Sequence, residues 1–118
     1  MKNQSFHCRA GFALLGLRTA WRRERSFRAQ TVCAALAIIA LIVTGAQTVW
    51  WALFLVTISV VLALELVNSA LEALIDHLHP DIHPEVGVVK DIAAAAVLVA
   101  SLGALAVGAL FVFAMIAG

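Results

Sequence analysis

The stretch from Ala29 to Leu64, AQTVCAALAIIALIVTGAQTVWWALFLVTISVVLAL, contains no charged residue. A membrane-spanning helix needs about 20 mainly apolar residues. At 36 residues the stretch is too long for one span, and Gly45-Ala46-Gln47-Thr48 interrupts it near the middle. It reads as one helix over residues 30–46, a tight turn, and a second helix over residues 49–77 that continues through Glu65. Ile92 to Gly118 is also free of charge and predicts a third spanning helix at 92–117. Trp50 and Trp51 fall where an interfacial aromatic belt would place them.

Composition agrees with this reading. Hydrophobic residues make up 64% of the 118 residues, against roughly 45–50% in soluble domains. Charged residues make up 13%, about half the usual share of roughly 25%. A soluble protein this small has a large surface to cover with polar groups. The composition therefore excludes a soluble enzyme, a nucleic-acid-binding module and a disordered tail. It implies a single-domain, all-α integral membrane protein.

The net charge of +1 says little, but the positions of the charges say more. Seven of the eight basic residues are Lys2, Arg9, Arg18, Arg22, Arg23, Arg25 and Arg28; the eighth is Lys90. Six of the seven acids lie between Glu65 and Asp91, and the seventh is Glu24. The basic N-terminal segment is expected to stay in the cytoplasm. The Gln47 turn then lies outside, the loop from His77 to Asp91 inside and the C-terminus outside. A cleaved signal peptide fits poorly, because the basic region is too long and two further spans follow. Within residues 1–28, Phe6, Ala10, Ala13, Leu14, Leu17 and Trp21 share one helical face. That pattern predicts a helix lying on the cytoplasmic membrane surface, its arginines near anionic head groups. Cys8 and Cys33 have no metal-binding or redox spacing and are expected to be free thiols.

The chemistry concentrates in Glu65-Leu-Val-Asn68-Ser69-Ala-Leu-Glu72-Ala-Leu-Ile-Asp76. At about 100° per residue, Glu65, Asn68, Glu72 and Asp76 share a stripe roughly 80° wide. Ionisable groups at membrane depth are costly unless solvated, paired or bound to metal. Three carboxylates on one stripe also repel each other. The arrangement suits a hard cation such as Mg²⁺, which prefers oxygen ligands and keeps phosphate oxygens in its shell. Asp76, near the helix end, is equally accounted for by solvation at the interface. Buried acids also line proton and ion pathways, but three helices from one chain make a poor transport machine without oligomerisation. A non-enzymatic membrane adaptor would leave the acids dispensable.

Lys90-Asp91 directly precedes the third span, where a lysine can reach phosphate as a point charge or simply snorkel to the interface. His77, His79 and His83 are spaced by two and four, and Pro80 and Pro84 break the segment, so it reads as a solvated loop rather than a metal site. Glycine-rich phosphate loops are absent. Ala93 to Ala96, Ser101, Gly103, Ala104 and Gly108 give the third span small residues for close helix approach. Three helices shield a polar stripe poorly, so association of several copies is expected.

The element Glu65-x-x-Asn68-Ser69-Ala70-x-Glu72-x-x-x-Asp76, then His83, then Lys90-Asp91-x-x-x-Ala95-Ala96-Val97-Leu98, resembles the prokaryotic diacylglycerol kinase family, which includes the undecaprenol kinases. Ala10-Gly11 and Gly16-Leu17-Arg18-x-Ala20-Trp21-x-x-Glu24-x-x-Phe27-Arg28 are similar to the same family, so the likeness covers nearly the whole chain. The resemblance implies a bacterial inner-membrane protein with a surface helix and three spans, assembled as a homotrimer with sites shared between neighbouring protomers. It implies transfer of the γ-phosphate of MgATP to a lipid hydroxyl at the cytoplasmic interface. By position, Glu24 and Glu72 match the metal-coordinating acids and Glu65 the general base on the lipid hydroxyl. Asn68, Lys90 and Asp91 match nucleotide-site positions, with Asp76 and His83 beside them. Arg9, Ala10 and Arg28 match positions linked to the lipid and nucleotide region.

Three departures from the family pattern stand out. Residues 93–96 are all Ala where members often carry Gly, Ile82 replaces an aromatic residue before the His, and Gln30 stands where one branch has Glu. These leave the catalytic set intact but bear on the choice of acceptor. Trp21 and Phe27-Arg28 lean toward diacylglycerol, with undecaprenol as the alternative. An ion- or proton-conducting membrane oligomer is the reading from another class.

Overall fold

The computed structural model describes residues 5–78, 81 and 83–118. The readings on Lys2, His79, Pro80 and Ile82 lie outside the described residues. Four helices follow one another: α1 (Phe6–Arg23), α2 (Arg25–Thr44), α3 (Thr48–Leu78) and α4 (Pro84–Ala117). The last three are each long and apolar enough to cross a membrane. The all-helical architecture is the one expected, a shorter N-terminal helix followed by three candidate spans.

The turn between α2 and α3 forms at Gly45, the only residue with positive φ among those described (φ 62°, ψ 43°). Its N–H donates to the Ile42 carbonyl at 3.2 Å, and the Ala46 N–H donates to the Leu41 carbonyl at 3.1 Å. These paired bonds satisfy the last carbonyls of α2, and the left-handed closing residue they require is most readily a glycine. Ala46 also packs on Leu41, completing the apolar contact of that motif. The chain then restarts at once, with the Trp50 and Trp51 N–H groups both on the Gln47 carbonyl.

Beside this turn lies the apolar core. Leu41 of α2, Phe54 of α3 and Phe111 of α4 are buried and touch, with Ala37, Ile58 and Val107 packed around them. The Phe111 ring stands edge-on to Trp50 (5.2 Å) and Phe54 (5.4 Å), an arrangement aromatic quadrupoles favour. Trp50 thus serves the helix contact as well as any interfacial belt. α3 is the central element, packing most extensively on α4 and next on α2. Its buried side chains recur at Phe54, Val61 and Glu65, the spacing of one helix face. The outward faces, including Leu36, Val43, Val99, Leu105 and Ile116, are exposed and apolar, as lipid-facing or chain-facing surfaces are.

Two boundaries differ from the sequence reading. First, the segment 1–28 is not one helix. α1 stops at Arg23, Glu24 is extended (φ −111°, ψ 106°), and Arg25 to Arg28 form the first turn of α2. Second, the loop before the last span is short. Pro84 opens α4, and the His83 imidazole caps it by accepting the Glu85 N–H on Nδ1 at 3.1 Å. Proline at the first helical position is a start signal, since its missing N–H would have no partner there. Lys90 and Asp91 are therefore helical residues, about two turns inside α4.

Candidate active site

The site grows out of the buried face of α3. Phe54, Val61 and Glu65 are 7%, 6% and 5% exposed, so Glu65 occupies a position that apolar side chains fill one and three turns earlier. Asn68 and Glu72 continue the same face and are half-buried. Helix arithmetic sets their depth. At about 1.5 Å per residue, Glu65 lies roughly 26 Å along the axis from Thr48 and Glu72 roughly 36 Å. A hydrocarbon layer about 30 Å thick that begins near Thr48 would end between them. So placed, Glu65 would sit just inside the apolar boundary and Glu72 just beyond it.

Several elements converge on Glu65. The charges of Glu24, from the α1–α2 corner, and of Glu72, one face-length further along α3, both bear on it. The Gln30 side chain of α2 reaches its carboxylate, and the Gln30 Nε2 also donates to Ser101 Oγ of α4 at 3.3 Å. One amide thus ties α2 and α4 together beside the buried acid. Asn68 Oδ1 is buried and has no hydrogen-bond partner among the described residues. A buried acceptor without a partner is uncommon in native proteins and calls for an explanation, such as a ligand or ion.

Glu24 is the one non-helical residue between α1 and α2. It occupies the N-cap of α2, yet its side chain makes no capping bond, so its carboxylate remains available. Beside it, α1 and α3 enclose an open groove of about 620 Å³ lined by Ala13, Gly16, Ala20 and Glu24 on one side and Ser69, Ala70 and Ala73 on the other. Small side chains on both walls open the groove, and Leu17, Leu66 and Arg23 complete its lining.

At the charged end of the α3–α4 pair, the Lys90 ammonium donates to Asp76 Oδ1 at 2.5 Å. His83 is taken up in capping α4. Arg28 donates to the carbonyls of Trp21 and Arg22. Arg9 and Ala10 stand apart from the cluster: fifteen residues of α1 separate Arg9 from Glu24, a helical length of roughly 22 Å, and both line a shallow surface depression near Phe6 and Phe12. Within one chain, then, Glu24 and Glu72 lie near enough for their charges to act on Glu65, and Asn68 shares the α3 face of Glu65 and Glu72. Lys90 and Asp76 pair off at the end of α3, Asp91 is exposed beside them, and Arg9 and Ala10 lie elsewhere.

Among the described residues no three His, Cys, Asp or Glu side chains cluster tightly enough to cage a metal. Mg²⁺ needs no such cage, because it is commonly held by one or two carboxylates with phosphate and water oxygens completing an octahedron. Glu24 and Glu72, whose charges both act on Glu65, and the unpartnered Asn68 oxygen on the same face of α3 as Glu72 are oxygen donors of the kind such an ion takes. The residues fit.

Comparison with known proteins decides the class. The family model described as prokaryotic diacylglycerol kinase matches residues 11–112. The chain belongs to this family. It is similar to the diacylglycerol kinase of Escherichia coli K12, 34% identical over 91 residues that cover 77% of this chain and 75% of that protein. The diacylglycerol kinase of Haemophilus influenzae is 32% identical over 89 residues, 75% of each chain. That of Synechocystis is 33% identical over 98 residues, 82% of this chain and 56% of the relative. As a member of the prokaryotic diacylglycerol kinase family, this chain is a lipid kinase, transferring phosphate to an alcohol acceptor.

Two site features escape sequence reasoning. Ser101 counts there only as a small packing residue, and nothing local marks it as the acceptor for Gln30. Gln30 does carry a signal, being polar within a charge-free apolar stretch. Its contact with Glu65 depends on how α2 rotates against α3, which the sequence pattern leaves open.

Proposed function

We propose that this kinase transfers the γ-phosphate of MgATP to diacylglycerol, giving phosphatidic acid. The observation that carries the reading is Glu65, a carboxylate buried on the core face of α3 and flanked by Glu24, Glu72 and the unpartnered Asn68 oxygen. A structural helix would place a leucine there. Glu65 accepts the proton from the lipid hydroxyl as its oxygen bonds to the γ-phosphorus. The bond from phosphorus to the bridging oxygen breaks, and ADP departs with that oxygen. Glu24 and Glu72 would hold Mg²⁺, which when bound supplies positive charge against the phosphates. Asn68 supplies a polar group at the same level, and Lys90, leaving Asp76, provides a cation for the triphosphate, with Asp91 and His83 alongside.

Depth supports the assignment. The base sits just inside the apolar boundary, where a lipid hydroxyl lies, and the metal acids sit just outside, where a nucleotide can reach them. The groove between α1 and α3 offers a lipid an apolar path ending at Glu24. The distance of Arg9 and Ala10 from the cluster favours a site completed by a neighbouring protomer, in keeping with a homotrimer. The basic N-terminal segment favours a multi-pass orientation in the bacterial inner membrane with the N-terminus and the acids on the cytoplasmic side.

The test is a radiolabelled-ATP assay of the full chain in mixed micelles, with diacylglycerol and undecaprenol side by side and magnesium varied. Magnesium-dependent label in phosphatidic acid, with little in undecaprenyl phosphate, is the expected result. The reverse pattern assigns undecaprenol as the acceptor. Current or proton flux in liposomes without any phosphate transfer would place the chain in another class.

A further inference from the structure

The break at Glu24 leaves backbone groups without their helical partners. In a continuous helix the Trp21 carbonyl would accept from the N–H of residue 25 and the Arg22 carbonyl from that of residue 26. At the break both carbonyls are taken instead by one guanidinium: Arg28 Nη1 lies 2.7 Å from the Trp21 oxygen and 3.0 Å from the Arg22 oxygen. The corner is also fixed from the chain itself. The Glu24 N–H donates to the Ala20 carbonyl at 2.8 Å, and the Arg28 N–H donates to the Glu24 carbonyl at 3.2 Å. Ala20 and Phe27, on either side of the break, are buried. Arg28 thus closes a loop of bonds around a single residue, whose own side chain takes no part in them.

We infer that Arg28 is a positioning residue for Glu24: it binds the end of α1 rather than a substrate, and by holding the corner it points the Glu24 carboxylate toward Glu72 and Glu65. The inference rests on the reading of Glu24 as a metal-holding acid and deepens it. A positive side chain at a helix C-terminus is favourable in itself, since the last carbonyls carry partial negative charge. Here the same contact also fixes where a ligand-bearing residue sits. Partners that orient metal ligands in this way commonly change metal affinity by about 10- to 100-fold when removed.

The experiment uses the full chain in nanodiscs and follows Mn²⁺ by electron paramagnetic resonance in the presence of a non-hydrolysable ATP analogue. Arg28→Ala is expected to weaken Mn²⁺ binding by about tenfold or more. Arg28→Lys, which keeps a donor and the charge, recovers part of the loss. In a Glu24→Gln background, Arg28→Ala costs nothing further, because two residues acting through one group are not additive. Additive losses, unchanged Mn²⁺ affinity in Arg28→Ala, or a raised lipid KM alone would each overturn the proposal. Failure of the metal reading has its own signature: Glu24→Gln by itself leaves Mn²⁺ affinity at wild type. Tryptic cleavage after Arg22, Arg23 and Arg25, read by mass spectrometry, then decides the corner independently. Faster cleavage in Arg28→Ala supports the clamp, and unchanged cleavage removes it.

Discussion

Lys90 of α4 and Asp76 of α3 form an ion pair, Nζ to Oδ1 2.5 Å, across the loop that joins the two helices. It is the only ion pair among the described residues. The Asp76 side chain is 64% exposed and that of Lys90 34%, so the contact is well solvated and adds little stability. Under the proposed function its value lies in where it keeps the ammonium, on the side of α3 that carries Glu72, from which it would exchange a carboxylate for a phosphate. Lys90→Ala should therefore raise the KM for ATP by about tenfold or more, the usual scale for a lost hydrogen bond to a charged group. Asp76→Asn releases the lysine, and the KM for ATP should not rise. Equal increases in both variants, measured by steady-state kinetics, would show that the pair acts as a unit and not as a store for Lys90.

The expectation of four helices, three of them candidate spans, was legible because charge-free length and the Gly45 interruption are local facts. The α2–α3 turn follows from one glycine, and the shared face of Glu65, Asn68 and Glu72 follows from helical period alone. The corner at Glu24 was not legible, since it depends on the Arg28 side chain reaching back to carbonyls six and seven residues earlier. The start of α4 at Pro84 carried a signal with two meanings. Proline ends helices and also begins them, and the difference lies in the His83 imidazole capping the Glu85 N–H. Trp50 shows the same ambiguity: an indole near an interface also packs on Phe111.

Gly45→Ala tests the turn separately from the chemistry. At φ 62° a Cβ meets the following carbonyl, at a cost of about 1–2 kcal/mol. No other atom crowds the position, so the loss should equal the backbone term. Reversible unfolding in mixed detergent micelles should show a decrease of about that size. Magnesium and ATP dependence should be unchanged, because the turn lies at the end of the molecule away from Glu72.

The Gln30–Ser101 bond separates scaffold from site. Ser101→Ala removes only the acceptor, and an interhelical hydrogen bond in a membrane protein averages about 0.6 kcal/mol. Its effect on unfolding should be of that order, with turnover nearly intact, since Gln30 keeps its contact with Glu65. Gln30→Leu removes both contacts at once and leaves Glu65 without its amide donor. Turnover should then fall several times more than in Ser101→Ala, and unfolding should change somewhat more as well, since a second contact is lost. Equal activity in the two variants would confine Gln30 to packing.

Glu65→Gln is the sharpest probe of the buried acid. The amide has nearly the same shape, so the helix face and membrane insertion should survive. On the proposed mechanism, what disappears is the ability to take a proton from the attacking hydroxyl, a contribution typically of about 10²–10⁴ in rate. The turnover number should drop by that factor, with Mn²⁺ affinity near wild type because Glu24 and Glu72 are untouched. Glu72→Gln predicts the opposite division: weaker metal binding, and a loss of turnover that excess magnesium partly restores. If the two glutamines gave the same pattern, base and metal ligand would not be separate roles, and the division of labour along α3 would have to be redrawn.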